Sequence, residues 1–256
     1  WSSWSGLGAG VPRAIAAGIS TEAPLDITLR PGATAPEGGI LLPNGSWRFP
    51  AGTRVVDLAG YEQGAFWVQD AAATLPARLL AVHEGEQVAD LCAAPGGKTA
   101  QLAVTGAQVT AIENNPARMA RLQENMERLG LPVRTVQADA CTWQPDTPLD
   151  AILLDAPCSA TGTARRHPDV LWVKRPRDLT ALTAAQDRLL AAARDMLRPG
   201  GRLVYAVCSL QEEEGPARAR AAQAMGLVPS PFTPEELAVL PEALTPEGWL
   251  RTHPGL

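Results

Sequence analysis

Alternation of strand-like and helix-like segments in the centre of the chain restricts its fold more than any other feature. The predicted strands are Gln87–Cys92, Gln108–Ile112, Val133–Val136, Ala151–Leu154 and Arg202–Val207. The predicted helices are Lys98–Val104, Pro116–Leu129, Thr183–Leu197 and Glu212–Met225. This order predicts an α/β fold with a mostly parallel central sheet covered by helices on both faces. Ala151–Leu154 is apolar on both faces, which is typical of an interior parallel strand.

Residues 1–65 have a different character, because Pro and Gly interrupt them too often for long helices. Short strands are predicted at Ile27–Leu29 and Arg54–Leu58, and apolar residues at helical spacing predict a helix around 67–82. We therefore expect a small irregular N-terminal connecting region over residues 1–62 and the α/β domain over residues 63–256.

Charge and cysteine usage exclude several classes of protein. A net charge of −5 argues against a generic basic nucleic-acid binder, although a local basic patch would suffice for RNA. No apolar run is long enough for a membrane span and no export signal is visible, so a cytoplasmic location with reduced thiols is expected. Cys92, Cys141, Cys158 and Cys208 form no C-x-x-C pair, and no metal site is expected. For Cys141 and Cys92 we favour packing roles.

Unusual residues follow every predicted central strand. The loop from Cys92 to Lys98 follows the first, Glu113 the second, Asp139 the third, Asp155 the fourth and Cys208 the fifth. Ligands of open α/β sheets bind at the carboxyl ends of the strands. Gly96 and Gly97 permit close approach to the backbone, and Glu113 is placed to accept ribose hydroxyls. These features predict a nucleoside-containing cofactor, with a tight structural turn as the alternative.

Three motifs together resemble one family. They are Asp-Leu-Cys-Ala-Ala-Pro-Gly-Gly-Lys-Thr at 90–99, Asp-Ala-Pro-Cys-Ser-Ala-Thr-Gly-Thr at 155–163 and Tyr-Ala-Val-Cys-Ser-Leu at 205–210. In this order they resemble the RNA cytosine-C5 methyltransferases, most nearly the bacterial branch that acts on 16S ribosomal RNA. The resemblance covers roughly residues 60–215.

The resemblance implies a Rossmann-like domain that uses S-adenosyl-L-methionine. It places cofactor contacts at Cys92, Ala93, Ala94, Pro95, Gly96, Gly97, Lys98, Glu113, Asp139 and Asp155. It makes Cys208 the nucleophile that bonds C6 of the cytosine, and it gives Cys158 a part in product release. Asp155 is then a candidate hydrogen-bond partner of the cytosine ring, and Lys98 would orient Asp155 or supply positive charge.

A basic stretch follows the second motif. Residues 163–177 contain Arg165, Arg166, Lys174, Arg175 and Arg177, with only Asp169 opposing them. We expect these cations to contact RNA phosphates, with a solvated loop as the alternative. Trp172 could stack on a base, but we favour packing into the protein. The acidic run Glu212–Glu214 is interpreted as a helix N-terminal turn.

The expected partner is RNA, with 16S ribosomal RNA as the favoured substrate, and the expected assembly is a monomer without a membrane or metal partner. Two alternatives stay open, namely a transfer-RNA methyltransferase and a non-catalytic RNA-binding module that keeps the cofactor fold. Relatives in this branch usually carry an N-terminal helical RNA-binding domain. Because the chain begins at Trp1, we expect it to be a piece of a longer protein that also stops before a last strand of the sheet.

Overall fold

The computed structural model describes residues 7–8, 10–173, 175–238 and 241–254. It divides into two compact units. The first, here called the sheet unit, comprises residues 24–155 and 192–205. The second, here called the cysteine unit, comprises residues 1–23, 156–191 and 206–256. Our predicted boundary at residue 62 stays a prediction.

A parallel sheet is the core of the sheet unit. Its strands are β5 (Gln87–Leu91), β6 (Gln108–Glu113), β7 (Arg134–Gln137), β8 (Leu149–Asp155) and β9 (Leu197–Ala206), in the order β7-β6-β5-β8-β9. Strand β5 pairs in parallel with both β6 and β8, and β6 pairs in parallel with β7. Ala151, Ile152, Leu153 and Leu154 of β8 are fully buried. The predicted α/β fold is confirmed, and the all-apolar β8 lies inside the sheet as its sequence predicted.

Helices α2 (Leu75–Leu80), α3 (Gly97–Ala103) and α4 (Pro116–Leu129) also belong to this unit. The side chain of Asn115 caps α4 by accepting a hydrogen bond from Arg118 N. Pro116 occupies the first helical turn, and Gly130 ends the helix in the left-handed conformation at φ 59°. These local signals explain why α4 has the bounds that the sequence predicted.

The region before the parallel sheet is more regular than its Pro and Gly content predicted. Strands β1 (Leu25–Leu29), β2 (Ile40–Leu41), β3 (Trp47–Phe49) and β4 (Phe66–Val68) form an antiparallel sheet in the order β2-β3-β1-β4. The predicted helix over 67–82 was wrong at its start, because β4 pairs with β1 and buries Phe66 and Trp67. Strand pairing between β1 and β4 therefore outweighs the helical spacing of apolar residues in the sequence. The strand predicted at Arg54–Leu58 is instead a 3₁₀ turn at Val55–Asp57.

The cysteine unit is built mainly from helices. It contains α1 (Val11–Ile19), α5 (Val170–Val173), most of α6 (Pro176–Met196), α7 (Pro216–Ala224) and α8 (Pro234–Leu237). Helix α1 lies in the stretch that we had predicted as loop, and its Ile15 is buried against Leu210. Helix α7 begins four residues later than predicted, after turns at 212–215. None of the described helices combines the length and apolar composition that a bilayer crossing requires.

Candidate active site

The register of the parallel sheet aligns three of the predicted site residues. Leu91 of β5 pairs with Ile112 of β6 and with Leu154 of β8. Each of these three paired residues is followed directly in the sequence by a predicted site residue. In the order of the strands, these are Cys92, Glu113 and Asp155. Parallel strands end at the same edge, so these three residues follow one row of paired positions. The structure therefore brings together the strand ends that the sequence had marked.

Lys98 and Asp155 form an ion pair at this edge. Lys98 Nζ donates to Asp155 Oδ2 over 2.7 Å. Lys98 lies in the first turn of α3, and Asp155 ends β8. A charged donor at this distance fixes which way the carboxylate faces. The predicted role of Lys98 in orienting Asp155 is compatible with this contact.

Glu113 is a buried carboxylate with spare hydrogen-bonding capacity. It is 2% exposed, and its Oε1 accepts a hydrogen bond from Asn115 N over 2.9 Å. Its Oε2 has no hydrogen-bond partner among the described residues, although the Arg118 guanidinium lies 3.5 Å away. A buried oxygen of this kind is costly unless something else donates to it. Glu113 is thus able to accept hydrogen bonds from the hydroxyl groups of a ligand.

The loop after β5 is held in place by α4. Arg118 Nη2 donates to Ala94 O over 2.7 Å, and Asn125 Nδ2 donates to Pro95 O over 2.8 Å. Gly96 has φ 104°, and a Cβ there would lie 2.7 Å from Leu122 Cδ1. The backbone conformation therefore favours glycine at position 96, and a Cβ there would also force the end of the Leu122 side chain to move.

The thiol of Cys92 is unsuited to chemistry. Burial, followed by the negative charges of Glu113 and Asp90, raises the pKa of Cys92 to about 12. A thiol of this kind stays protonated at neutral pH, and the thiolate is the reactive form. Its backbone adopts the left-handed region at φ 65°. The packing interpretation of Cys92 fits these observations.

Asp139 follows β7 and is exposed. Its Oδ1 accepts a hydrogen bond from Cys141 N over 2.9 Å. Glu113 pairs in register with Gln137, two residues before Asp139. Asp139 is thus held by its own turn beyond the same edge of the sheet.

The two cysteines of the second and third motifs are neighbours in the cysteine unit. Cys158 Sγ and Cys208 Sγ lie 3.4 Å apart, and Cys208 is exposed. The hydrogen bond to Cys208, together with burial, raises the pKa of Cys158 well above the usual thiol range. Because Cys158 is the less exposed of the two thiols, burial disfavours its thiolate form.

A buried acid near this pair was missed in the sequence. The run Glu212–Glu214 is interpreted from the sequence only as a helix N-terminal turn, but Glu214 is 0% exposed and accepts a hydrogen bond from Ser159 N over 2.8 Å. Glu212 and Glu213 are exposed. The partners of Glu214 lie far away along the chain, so no local pattern distinguished it from its two neighbours.

The basic stretch is only partly described. Arg166, Arg175 and Arg177 are exposed, and Lys174 lies outside the described residues. Arg165 Nη2 donates to Glu22 O over 3.2 Å, and Arg177 lies 3.9 Å from Asp178. The favoured packing of Trp172 was wrong, because its side chain is 86% exposed on the short helix α5.

Among the described residues, no group of three or more His, Cys, Asp or Glu side chains could hold a metal ion.

Comparison with known sequences gives a consistent result. A family model described as 16S rRNA methyltransferase RsmB/F matches residues 77–224. Ribosomal RNA small subunit methyltransferase B of Erwinia tasmaniensis is 48% identical over 165 residues, which cover 62% of this chain and 38% of that protein. The chain spans about two fifths of the length of such curated relatives.

Comparison with solved structures agrees with the fold. NSun6 from Pyrococcus horikoshii, solved with SFG, is 32% identical, with a TM-score of 0.63 over 73% of this chain and 52% of that one. The crystal structure of PH0851 has a TM-score of 0.85, covering 99% of this chain and 61% of that one. At 24% identity this second likeness shows the fold alone. The α/β domain is Rossmann-like, as the sequence resemblance implied.

Proposed function

The chain belongs to the 16S rRNA methyltransferase RsmB/F family, and on that premise we propose that it methylates C5 of a cytosine in 16S ribosomal RNA. The methyl donor in this proposal is S-adenosyl-L-methionine. The names of the curated relatives support the ribosomal substrate. The single observation that carries the chemistry is the pair of thiols 3.4 Å apart.

The residues at the sheet edge fit this cofactor. S-adenosylmethionine supplies a methyl group on a positively charged sulfonium and also presents ribose hydroxyls. The buried Oε2 of Glu113 lacks a hydrogen-bond donor among the described residues, which suits an acceptor for ribose hydroxyls. Residues 92–98, Asp139 and Asp155 complete the proposed cofactor contacts. The loop is held by Arg118 and Asn125, so it offers its backbone in a fixed position.

Cys208 acts in this proposal as the nucleophile. Its thiolate adds to C6 of the cytosine, and the ring electrons move toward C5, which then accepts the methyl group. Covalent catalysis of this kind divides one difficult step into easier ones. After methylation, a water molecule accepts the proton that C5 loses, and the C6–S bond breaks with its electron pair returning to Cys208 Sγ. The exposure of Cys208 supports its access to a substrate base.

Cys158 acts in the release step. In its thiol form, Cys158 can donate its proton to Cys208 Sγ, 3.4 Å away, when the C6–S bond breaks, and it then regains a proton from water. Asp155, three residues earlier in the chain, is proposed to hydrogen-bond N3 or the amino group of the cytosine. Lys98 keeps the Asp155 carboxylate in one orientation. The base must be single-stranded or flipped out, because stacking in a duplex blocks a thiol from C6.

RNA contacts are proposed for the basic stretch of the cysteine unit. Arg165, Arg166, Arg175 and Arg177 would contact phosphates, as would Lys174. The 86% exposed indole of Trp172 supports a stacking role. Positive charge beside an exposed aromatic ring is typical of surfaces that bind single-stranded nucleic acid.

A covalent protein–RNA adduct tests the mechanism. The protein would be mixed with S-adenosylmethionine and 16S ribosomal RNA and analysed on a denaturing gel, with cofactor binding measured in parallel. We expect an adduct to accumulate in Cys158→Ala and to be absent in Cys208→Ala. An adduct that survives Cys208→Ala would refute the assignment of the nucleophile. Stronger methylation of transfer RNA than of ribosomal RNA would favour the transfer-RNA alternative. Cofactor binding without methylation of either RNA would favour the non-catalytic module.

A further inference from the structure

Three donors converge on the buried carboxylate of Glu214. Its Oε1 accepts hydrogen bonds from Ser159 N over 2.8 Å and from Gln186 Nε2 over 3.1 Å. Its Oε2 accepts from Ser159 Oγ over 2.5 Å. Gln186 also donates to Pro157 O over 2.9 Å and is itself 0% exposed. One carboxylate therefore holds the segment Pro157–Ser159 through both its backbone and its side chain.

The carboxylate also sets the direction of the next hydrogen bonds. An ionised carboxylate only accepts, so Ser159 gives its single hydroxyl proton to Glu214. Toward Ser209 Oγ, 3.0 Å away, Ser159 can then only accept. Ser209 Oγ in turn accepts from Gln211 N over 3.0 Å. The chain of bonds thus runs from Ser209 through Ser159 to Glu214.

The two serines directly follow the two cysteines. Ser159 follows Cys158, and Ser209 follows Cys208. Gly162 N donates to Cys208 O over 3.0 Å, and a Cβ at Gly162 would lie 2.9 Å from that oxygen. The two loops therefore approach each other closely, and the serine bond joins them one residue beyond the thiols.

We propose that Glu214 is a positioning residue that holds the Cys158 loop and the Cys208 loop at the spacing at which the two thiols contact each other. It holds the two loops through Ser159 and Ser209. The inference rests on the proposed function where turnover is concerned, but the contact between the thiols can be measured without RNA.

Two substitutions at position 214 and one matched control test the proposal. Glu214→Ala removes all three acceptor contacts. Glu214→Gln keeps the shape and an oxygen for Ser159 N and Gln186, but its amide nitrogen faces Ser159 Oγ, which must turn its proton away. Glu213→Ala and Glu213→Gln remove the exposed neighbouring acid and are the controls.

The first readout is the rate of iodoacetamide alkylation at Cys158 as a function of pH, assigned by peptide fragmentation in the free protein. Among the described residues, Cys208 and Glu214 are ionisable groups that raise the pKa of Cys158, and the hydrogen bond to Cys208, followed by burial, is the largest cause. In Glu214→Ala we expect the contact between the two thiols to be lost. The midpoint of the alkylation profile of Cys158 should then fall toward the ordinary thiol pKa of about 8.5. In Glu214→Gln the fall should be smaller, and the controls should match wild type.

The second readout is turnover. In Glu214→Ala we expect kcat for methyl transfer to fall by about 10²-fold, because a misplacement near 1 Å costs that much. The KM for S-adenosylmethionine should stay within about twofold, since the proposed cofactor contacts bind independently of the thiols. Glu214→Gln should lie between wild type and Glu214→Ala.

The outcomes are separable. An alkylation profile of Glu214→Ala that superimposes on that of Glu213→Ala would overturn the positioning role. If Glu214→Ala does not fold, Glu214→Gln decides: an intermediate profile supports the role, and a profile equal to Glu213→Gln overturns it. If the wild-type protein methylates no RNA, the proposed function fails while the alkylation result still decides the role of Glu214.

Discussion

Replacing Asp90 by Asn should make the stability of the protein less dependent on pH. Asp90 lies on β5 and is 1% exposed. Its Oδ2 accepts a hydrogen bond from Thr99 Oγ1 over 2.6 Å, while its Oδ1 has no hydrogen-bond partner among the described residues. Burial, as the largest cause, raises its pKa from 3.8 to about 7. Above about pH 7 the folded protein therefore holds an unfavourable buried charge.

The sign and size of the effect follow from linkage. Between pH 3.8 and about 7, the folded state binds more protons at Asp90 than the unfolded state does. The free energy of unfolding therefore falls as the pH rises through this window, and the total loss is about 4 kcal/mol. Between about pH 5 and about pH 8 the loss is roughly 2 to 3 kcal/mol. An asparagine side chain does not ionise, so Asp90→Asn escapes this loss.

Urea denaturation followed by circular dichroism would measure the effect. We expect the stability of Asp90→Asn relative to wild type to rise by roughly 2 to 3 kcal/mol between about pH 5 and about pH 8. Asp146→Asn is the control, because Asp146 is largely exposed and its pair with Arg134 lies at the surface. A difference between Asp90→Asn and wild type that is the same at both pH values would refute the reasoning.

Three further predictions concern the ion pair, the aromatic ring and the antiparallel sheet. Lys98→Ala removes the donor 2.7 Å from Asp155 Oδ2, and we expect methyl transfer to fall by about 10²-fold; full turnover would contradict this. Trp172→Ala should weaken RNA affinity by about 1 to 3 kcal/mol in filter binding without lowering the melting temperature, whereas Trp172→Phe should retain most of the affinity. Arg48→Ala leaves the fully buried Asp26 without its two guanidinium bonds, and urea denaturation should show a loss of about 3 kcal/mol; a loss near zero would exclude this pair as a stabilising contact.

The sequence could predict elements whose signals are local. Helix α4 was predicted with its observed bounds, because Asn115, Pro116 and Gly130 each act within one turn of the helix end. The interior strand β8 was predicted because burial on both faces demands an uninterrupted apolar run. The order of the three motifs then led to the family. The roles of Cys208, Cys158 and the proposed cofactor contacts stay predictions until the adduct and binding experiments are done.

Other features depended on contacts between distant residues. Phe66–Val68 forms a strand because it pairs with β1, some forty positions earlier in the chain, and this outweighed a helical spacing of apolar residues. Trp172 is 86% exposed on α5, although tryptophan is usually buried in large part, and its burial depends on which distant residues pack beside it.

Sequence by itself determined the fold class, the family and the residue types at the strand ends, since periodicity, capping and motifs act over a few neighbouring residues. Tertiary structure alone decided that Lys98 meets Asp155, 57 positions away, and that Ser159 meets Glu214, 55 positions away. It also decided which of three consecutive glutamates is buried, because burial depends on what packs above a residue and not on its neighbours in the chain.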